Sequence, residues 1–139
     1  MTLQELIEKS YKITNEKGFW DKYNNILSSI PLYEEREYVK QLFITQKLML
    51  IVSELGESLE SIRINKFTPN TELHIENLSD EEFIKYFETN IKDTFEDEIA
   101  DVFIRLGDLC GKFNIDVEKH IQLKQKYNIT REKMHGKNF

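Results

Sequence analysis

The chain has 139 residues and a net charge of −6, from 25 acidic and 19 basic residues. Its length fits a single domain over residues 1–139. The acidic balance argues against a basic surface that grips nucleic acid, so we expect no nucleic-acid partner, and an anionic ligand would need bridging cations. Only two prolines and five glycines interrupt a chain that is 32% charged, which favours an all-α fold.

The cellular setting is expected to be a reducing cytoplasm. With one cysteine, Cys110, no internal disulfide is possible. The N-terminal residues MTLQELIEKS lack the basic and then apolar layout of a signal peptide. The longest apolar stretch, Leu48 to Val52, is too short to span a membrane, so no membrane partner is expected.

The first predicted elements fill the N-terminal half of the chain. Apolar residues at helical spacing predict an amphipathic helix over residues 2–17, and Gly18 supplies its stop. Residues 18–31 carry aromatic and aliphatic side chains and predict a packed, partly helical connector. One long helix is predicted over residues 33–64, since no proline interrupts it and one of its faces is apolar.

Residues 65–91 form an insertion between major helices. Pro69 and Asn70 predict a turn. The run Ser79 to Glu82 has the pattern of a capping box that opens a short helix over residues 83–88.

Two further main helices follow the insertion. The first is predicted from about Lys92 to Phe113, and the second begins after the capping candidate Asp116 and continues towards Met134. Together these elements predict a helical bundle with a long central helix hairpin. A single hairpin of this size leaves much apolar helix surface uncovered, so we expect oligomerisation, at least a homodimer, to complete the bundle.

Four acids carry the strongest chemical pattern. Glu54 and Glu57 are three residues apart on the long helix, and Glu98 and Asp101 are three apart on the next main helix, which puts each pair on one helical face. Each pair borders apolar positions, where ionised carboxylates are costly unless a cation compensates them. Four hard oxygen ligands suit magnesium, or manganese, rather than zinc.

The two acid pairs are expected to meet at the same height. At about 1.5 Å per residue, Glu57 lies roughly 10 Å before a helix end near Ile64, and Glu98 lies roughly 9 Å after a start near Lys92. Gly56 costs a helix roughly 1 kcal/mol relative to alanine, so we expect another helix or a ligand to approach closely there.

Acids at this spacing also occur simply to solvate helices, and that interpretation stays open for the four. It is the favoured one for Glu60 and Asp108, which are expected to be helix-surface acids or to support the ligands rather than to bind metal themselves.

Two segments carry a family resemblance. The stretches KLMLIVSELGESLE (47–60) and EDEIADVFIRLGDLCG (96–111) strongly resemble the MazG-like, all-α nucleoside triphosphate pyrophosphohydrolases, whose signature is Glu-x-x-Glu followed by Glu-x-x-Asp. The resemblance covers roughly residues 40–139, including the tail KYNITREKMHGKNF. One departure is the connection over residues 58–97, which is longer than is usual in the family and bears on specificity more than on metal binding.

The resemblance implies an activity and roles for the acids. The family cleaves a nucleoside triphosphate between the α- and β-phosphates and releases a monophosphate and pyrophosphate, a reaction of nucleotide-pool housekeeping. It would make Glu54, Glu57, Glu98 and Asp101 the magnesium ligands. A glutamate of the first motif would help deprotonate the attacking water, and we favour Glu57 over Glu54 for this role.

Further residues are candidates for substrate contacts. Lys47 lies two turns before Glu54 on the same face. The resemblance suggests basic and amide positions at helical spacing in the last helix, namely Lys124, Asn128 and Arg131. Trp20, with its aromatic neighbours Phe19 and Tyr23, could stack on the base or equally belong to the core. His135 and the residues that follow it look like the family's C-terminal pattern.

Two other classes of protein compete with this interpretation. A ferritin-like di-iron bundle needs two Glu-x-x-His motifs, whereas the chain has only Glu132 with His135, and neither His74 nor His120 has such a glutamate. The alternative function is a non-catalytic helical module that binds nucleotides or protein partners, whose helices would look the same.

Overall fold

A computed structural model describes residues 1–69 and 78–132. Over those residues the chain forms no strand and consists of α1 (Leu3–Glu16), α2 (Asp21–Ser29), α3 (Tyr33–Arg63), α4 (Asp80–Asn90), α5 (Phe95–Lys112) and α6 (Val117–Ile129). The all-α prediction is confirmed. Within these ranges, none of the helices combines the length and apolar character that a bilayer crossing requires.

The first helix begins and ends as the sequence predicts. The Thr2 hydroxyl accepts a hydrogen bond from the Glu5 backbone N–H, and the Glu5 carboxylate accepts one from the Thr2 N–H, so the two residues form a capping box. After the helix, Gly18 has a φ of 78°, a conformation that glycine adopts without strain. The chain can therefore turn sharply into α2.

The predicted capping box before α4 is also present. The Ser79 hydroxyl accepts from the Glu82 N–H, and the Glu82 carboxylate accepts from the Ser79 N–H. The hydrogen bond from the Ser79 N–H, together with one from the Ser79 hydroxyl, holds the pKa of the Glu82 carboxyl below its ordinary value. The turn predicted at Pro69 and Asn70 reaches into residues 70–77, which lie outside the described part of the chain.

Two helix boundaries differ from prediction. α5 begins at Phe95 rather than near Lys92, because Asp93 has a φ of 59° and the Thr94 hydroxyl caps the helix by accepting from the Asp97 N–H. α6 begins behind the predicted cap Asp116 but ends at Ile129, short of Met134. Arg131, expected inside the last helix, therefore lies beyond its end.

α5 packs against both α1 and α3, and α2 packs against α3. Side-chain contacts show that α3 and α5 run in opposite directions. The Ser61 hydroxyl, near the end of α3, donates to the Asp93 carbonyl just before α5, whereas Lys47, near the middle of α3, pairs with Asp108 near the end of α5. This register places α5 along the C-terminal half of α3.

The crossing of α1 and α5 is close because α5 carries glycines there. A Cβ added at Gly111 would lie 2.5 Å from Tyr11 Cβ, and one added at Gly107 would lie 3.0 Å from Ser10 Oγ. Larger side chains at these positions would separate the helices. The crossing thus depends on small residues, and it fixes α1 against the back of α5.

Aromatic rings form the core between α2, α3 and α5. Trp20 is completely buried and makes edge-to-face contacts with Tyr23 and Phe113, at centroid distances of 5.7 and 5.9 Å. Phe43 of α3 lies 5.0 Å from the Tyr23 ring. The predicted packed connector is therefore present, and its rings join the N-terminal part of the chain to α3 and α5.

The apolar residues of α3 do not all face the core. Its buried positions are Ile51, Glu54, Ser58 and Ser61. Five apolar residues are 46 to 53% exposed and follow one another at intervals of three and four: Leu48, Val52, Leu55, Leu59 and Ile62. We call these five the α3 stripe. Gly56 lies beside it, and a Cβ added there meets nothing within 4 Å, so the close approach expected at Gly56 is absent from the described residues.

Candidate metal centre

Three of the four predicted acids come together where α3 and α5 lie side by side. Glu54 of α3 and Glu98 and Asp101 of α5 each offer one carboxylate oxygen, and these oxygens lie within 4.8 Å of one another. Glu54 and Glu98 are only 5% and 4% exposed, and Asp101 is partly buried. The spacing and the opposed directions of the helices thus produce the convergence that the sequence predicts.

Glu57 occupies a different position from the other three. Its side chain is exposed, and it is not part of the group whose oxygens lie within 4.8 Å. It lines the same open groove, of about 420 Å³, as Glu54, Glu98 and Asp101. Glu57 therefore stands at the mouth of the site, in contact with solvent, while the other acids form its floor.

Glu98 is the most perturbed acid of the group. Burial, reinforced by the negative charges of Glu57 and Glu54, raises the pKa of Glu98 from its ordinary 4.5 to about 7. Its carboxylate makes no hydrogen bond or ion pair with the described residues. A buried carboxylate without a partner is costly when ionised, so this position needs either a proton or a cation.

Asp101 is perturbed for the same reasons, but less strongly. Burial raises the pKa of Asp101, the charges of Asp97 and Glu54 raise it further, and the guanidinium of Arg105 acts in the opposite direction. Like charges at this distance disfavour simultaneous ionisation of all the acids. A bound cation would remove that penalty for all of them at once.

Arg105 also belongs to the site, although it was not among the residues predicted from the sequence. It follows Asp101 by one turn on α5, and its Nη2 lies 2.6 Å from Glu54 Oε1. Its Nε is buried and has no hydrogen-bond partner. Arg105 could have been predicted from its position four residues after Asp101, which puts it on the helical face that carries Glu98.

The donor set fits a hard divalent cation. All three converging groups are carboxylates, which suit magnesium or manganese. The unpartnered, buried carboxylate of Glu98 is the specific observation in favour, since exposed acidic clusters are common on helix surfaces without any ion. Glu54, Glu98 and Asp101 would therefore hold the ion. Glu57 lines the same groove and would face a ligand that the ion binds.

Lys47 lies away from the acid groove. Its ammonium is 3.3 Å from Asp108 Oδ2 and 4.2 Å from the centre of the Trp20 ring, and its side chain is 16% exposed. It is not among the groups that line the groove around Glu54. In this arrangement Lys47 holds α3 against α5 and the N-terminal connector.

Asp108 is buried, not a helix-surface acid. It is 4% exposed and accepts hydrogen bonds from Trp20 Nε1, at 2.6 Å, and from the Thr14 hydroxyl, in addition to its pair with Lys47. It thereby links α1, the connector, α3 and α5. Glu60, in contrast, is exposed and pairs with Arg63, as expected for a surface acid.

The candidate residue for base stacking lies in the core. Trp20 has no exposed surface in the single chain, because Tyr23 and Phe113 cover its ring and Asp108 accepts from its indole N–H. Its neighbour Phe19 is 66% exposed. Among the described residues, the structure therefore gives Trp20 a packing role and does not bring it to the acid groove.

The candidates in the last helix gather around Tyr127. Lys124 Nζ lies 5.2 Å and Arg131 Cζ 5.9 Å from the centre of that ring, and the side-chain oxygen of Asn128 is buried without a hydrogen-bond partner. None of the three lines the acid groove. His135 and the tail after it lie outside the described residues.

Comparison with known proteins gives no match. No family model matches the chain, and neither the curated proteins nor the solved structures contain a detectable relative.

Proposed function

We propose that this protein is a magnesium-dependent nucleoside triphosphate pyrophosphohydrolase, which converts a (d)NTP to a (d)NMP and pyrophosphate as part of cytoplasmic nucleotide housekeeping. The observation that carries the proposal is the buried, unpartnered carboxylate of Glu98 beside Glu54 and Asp101. The resemblance of the two acid motifs to MazG-like enzymes gives the reaction.

The acids divide between two roles. Glu54, Glu98 and Asp101 would hold the ion, and Glu57, which is exposed and lines the same groove, would be its fourth ligand or its base. A bound magnesium supplies charge neutralisation for the triphosphate and lowers the pKa of a bound water. Glu57 is in a position to accept the proton of a water that attacks the α-phosphorus, since it is exposed and lines the groove.

The substrate contacts are revised by the packing. Lys47 pairs with Asp108, and the Trp20 indole N–H donates to the same carboxylate. We therefore propose that both residues stabilise the helices that carry the site and do not contact the nucleotide. The positions Lys124, Asn128 and Arg131 remain proposed phosphate contacts on the strength of the family resemblance alone.

A second copy of the chain is the proposed partner of the α3 stripe. Its five apolar residues recur at three- and four-residue intervals, the pattern of a helix that packs along another helix. About half of each side chain is exposed in the single chain, and Gly56 beside them leaves room for close approach. We therefore propose a homodimer, in which Leu55→Glu would shift the molar mass measured by light scattering from dimer to monomer.

The activity is tested by incubating the protein with magnesium and a panel of ribo- and deoxyribonucleoside triphosphates. The proposal expects equimolar monophosphate and pyrophosphate from at least one of them, and loss of both products in the double variant Glu98→Gln, Asp101→Asn. Glu60→Gln, which changes an exposed acid of α3, is the matched control and should retain activity. Absence of both products from every triphosphate would favour the non-catalytic module, and orthophosphate with diphosphate would mean that a different bond is cleaved.

A further inference from the structure

The guanidinium of Arg105 lies beside the carboxylates at the place where a cation is needed. Its Nη2 is 2.6 Å from Glu54 Oε1, a distance typical of a charge-assisted hydrogen bond. The Glu54 side chain is 6% exposed, so this carboxylate would otherwise be a buried, unpaired charge. Within the described residues, Arg105 is the basic group that forms an ion pair with one of the three converging acids, Glu54.

The pair is incompletely satisfied on the arginine side. Only a terminal nitrogen of Arg105 bonds Glu54, while its Nε is buried and has no acceptor. Burial of a donor without a partner is unfavourable. The Arg105 side chain as a whole is 40% exposed, so it has an open path towards solvent. This arrangement neutralises Glu54, but it is poorly suited to a permanent structural link.

A divalent ion and this guanidinium would use the same carboxylate. An ion held by Glu54, Glu98 and Asp101 puts two positive charges within a few ångströms of Arg105, which repels the guanidinium from its present position. The resulting exchange gives Glu54 a stronger partner and frees the buried Nε.

We propose that Arg105 is an internal counter-ion of the acid site, which neutralises Glu54 while no divalent ion is bound and gives up this carboxylate when one binds. The proposal rests on the metal site of the proposed function but not on hydrolysis. Arg105 therefore limits the affinity of the site for a bare ion. Metal binding then moves the Arg105 guanidinium away from Glu54 and towards the solvent.

The direct test is a titration of the protein with Mn²⁺ alone, with bound ion measured by electron paramagnetic resonance. Arg105→Gln should bind Mn²⁺ about fivefold tighter or more than the wild type, since the competing charge is gone. Arg105→Lys keeps the charge and should stay within about twofold of the wild type. Arg63→Gln removes an exposed Arg–Glu pair on the same hairpin of helices and is the matched control, with no expected change.

A second measurement uses the wild-type protein and so does not depend on whether a variant folds. The buried Nε–H of Arg105 should exchange slowly with solvent in the metal-free protein and quickly after saturation with Mg²⁺, as followed by ¹⁵N-detected hydrogen exchange of arginine side chains. Arg105→Lys removes the signal and thereby assigns it.

The outcomes separate the counter-ion from the metal site itself. Unchanged or weaker Mn²⁺ binding by Arg105→Gln would overturn the counter-ion role, as would Nε–H exchange that Mg²⁺ does not accelerate, while leaving the metal site intact. If wild type and variants all fail to bind Mn²⁺, the metal site and the counter-ion role are both overturned.

Discussion

The Lys47 ammonium pairs with the buried Asp108 carboxylate at 3.3 Å. Lys47 lies two turns before Glu54 on α3, and Asp108 lies two turns after Asp101 on α5. Because both contacts belong to the same register of the two helices, the Asp108 cluster holds in place the helices that present the acids. The cluster ties α1, through Thr14, and the connector, through Trp20, to the same point.

Removal of the Asp108 carboxylate should therefore destabilise the whole fold. Asp108→Ala leaves Lys47 without its buried partner and the Trp20 N–H without an acceptor, so we expect the free energy of unfolding to fall by about 3 kcal/mol or more. Urea denaturation followed by circular dichroism measures this. Glu60→Ala, at an exposed pair, should stay within about 0.5 kcal/mol of the wild type. Equal effects of the two variants would contradict the role given to Asp108.

The stability of the metal-free protein should depend on pH through Glu98. Its pKa is raised from 4.5 to about 7, so the folded state binds a proton more tightly than the unfolded state. That contribution is complete below about pH 4.5 and is lost as the pH rises through 7. We expect Glu98→Gln, which cannot ionise, to lessen the fall in melting temperature between pH 5 and pH 8. A fall of the same size in both proteins would show that Glu98 is not the responsible group.

Magnesium should reverse this loss at the upper end of the pH range. An ion that binds only the folded state stabilises it in proportion to the logarithm of its concentration above Kd. At pH 8, where Glu98 is ionised, millimolar magnesium should raise the melting temperature of the wild type but not that of Glu98→Gln. Removal of the magnesium by an excess of EDTA should return the wild type to its metal-free value.

Replacement of two glycines by alanine should change the stability of the protein in opposite directions. Gly111→Ala places a Cβ 2.5 Å from Tyr11 Cβ, so we expect a loss of stability of about 1 to 3 kcal/mol from overpacking of α1 on α5. Gly56→Ala meets nothing within 4 Å and should stabilise the monomer by up to about 1 kcal/mol through helix propensity. Guanidinium denaturation compares the two. A destabilising Gly56→Ala would indicate that a second copy approaches α3 at this glycine.

The single tryptophan reports directly on the role of Trp20. Since the indole is fully buried, its fluorescence should peak at short wavelength and resist quenching by acrylamide. A nucleoside triphosphate with magnesium should leave the emission unchanged, because the ring has no free face. Strong quenching by the nucleotide would restore the stacking role that the sequence suggested for Trp20.

The helices were largely predictable, because local signals define them. The capping pattern of Ser79 with Glu82 and the cap at Asp116 mark helix starts that the structure contains. Thr94, with Asp97 three residues later, is a cap signal of the same local kind, and the predicted start near Lys92 overlooked it. The left-handed turn at Asp93 was not predictable, nor was the contact of the Thr94 hydroxyl with Thr68. Local propensity does not encode such a contact.

The acids that converge were predictable from spacing and height, but their surroundings were not. Arg105 and Asp108 are polar residues on the buried face of α5, and only the register against α3 decides that one meets Glu54 and the other Lys47. In the same way, periodicity identified the apolar residues of α3 without showing that α5 packs on the face beside the α3 stripe. These features follow from tertiary packing, which a single sequence does not reveal.

The central claim is that Glu54, Glu98 and Asp101 hold a divalent ion. Crystals soaked with Mn²⁺ and a triphosphate whose α,β-bridging oxygen is replaced by methylene would test it most directly, through anomalous scattering at the manganese edge. We expect a peak bound by carboxylate oxygens of these three residues, with the phosphates of the analogue in the same groove. No peak there at saturating Mn²⁺, or a peak only elsewhere on the molecule, would contradict the account.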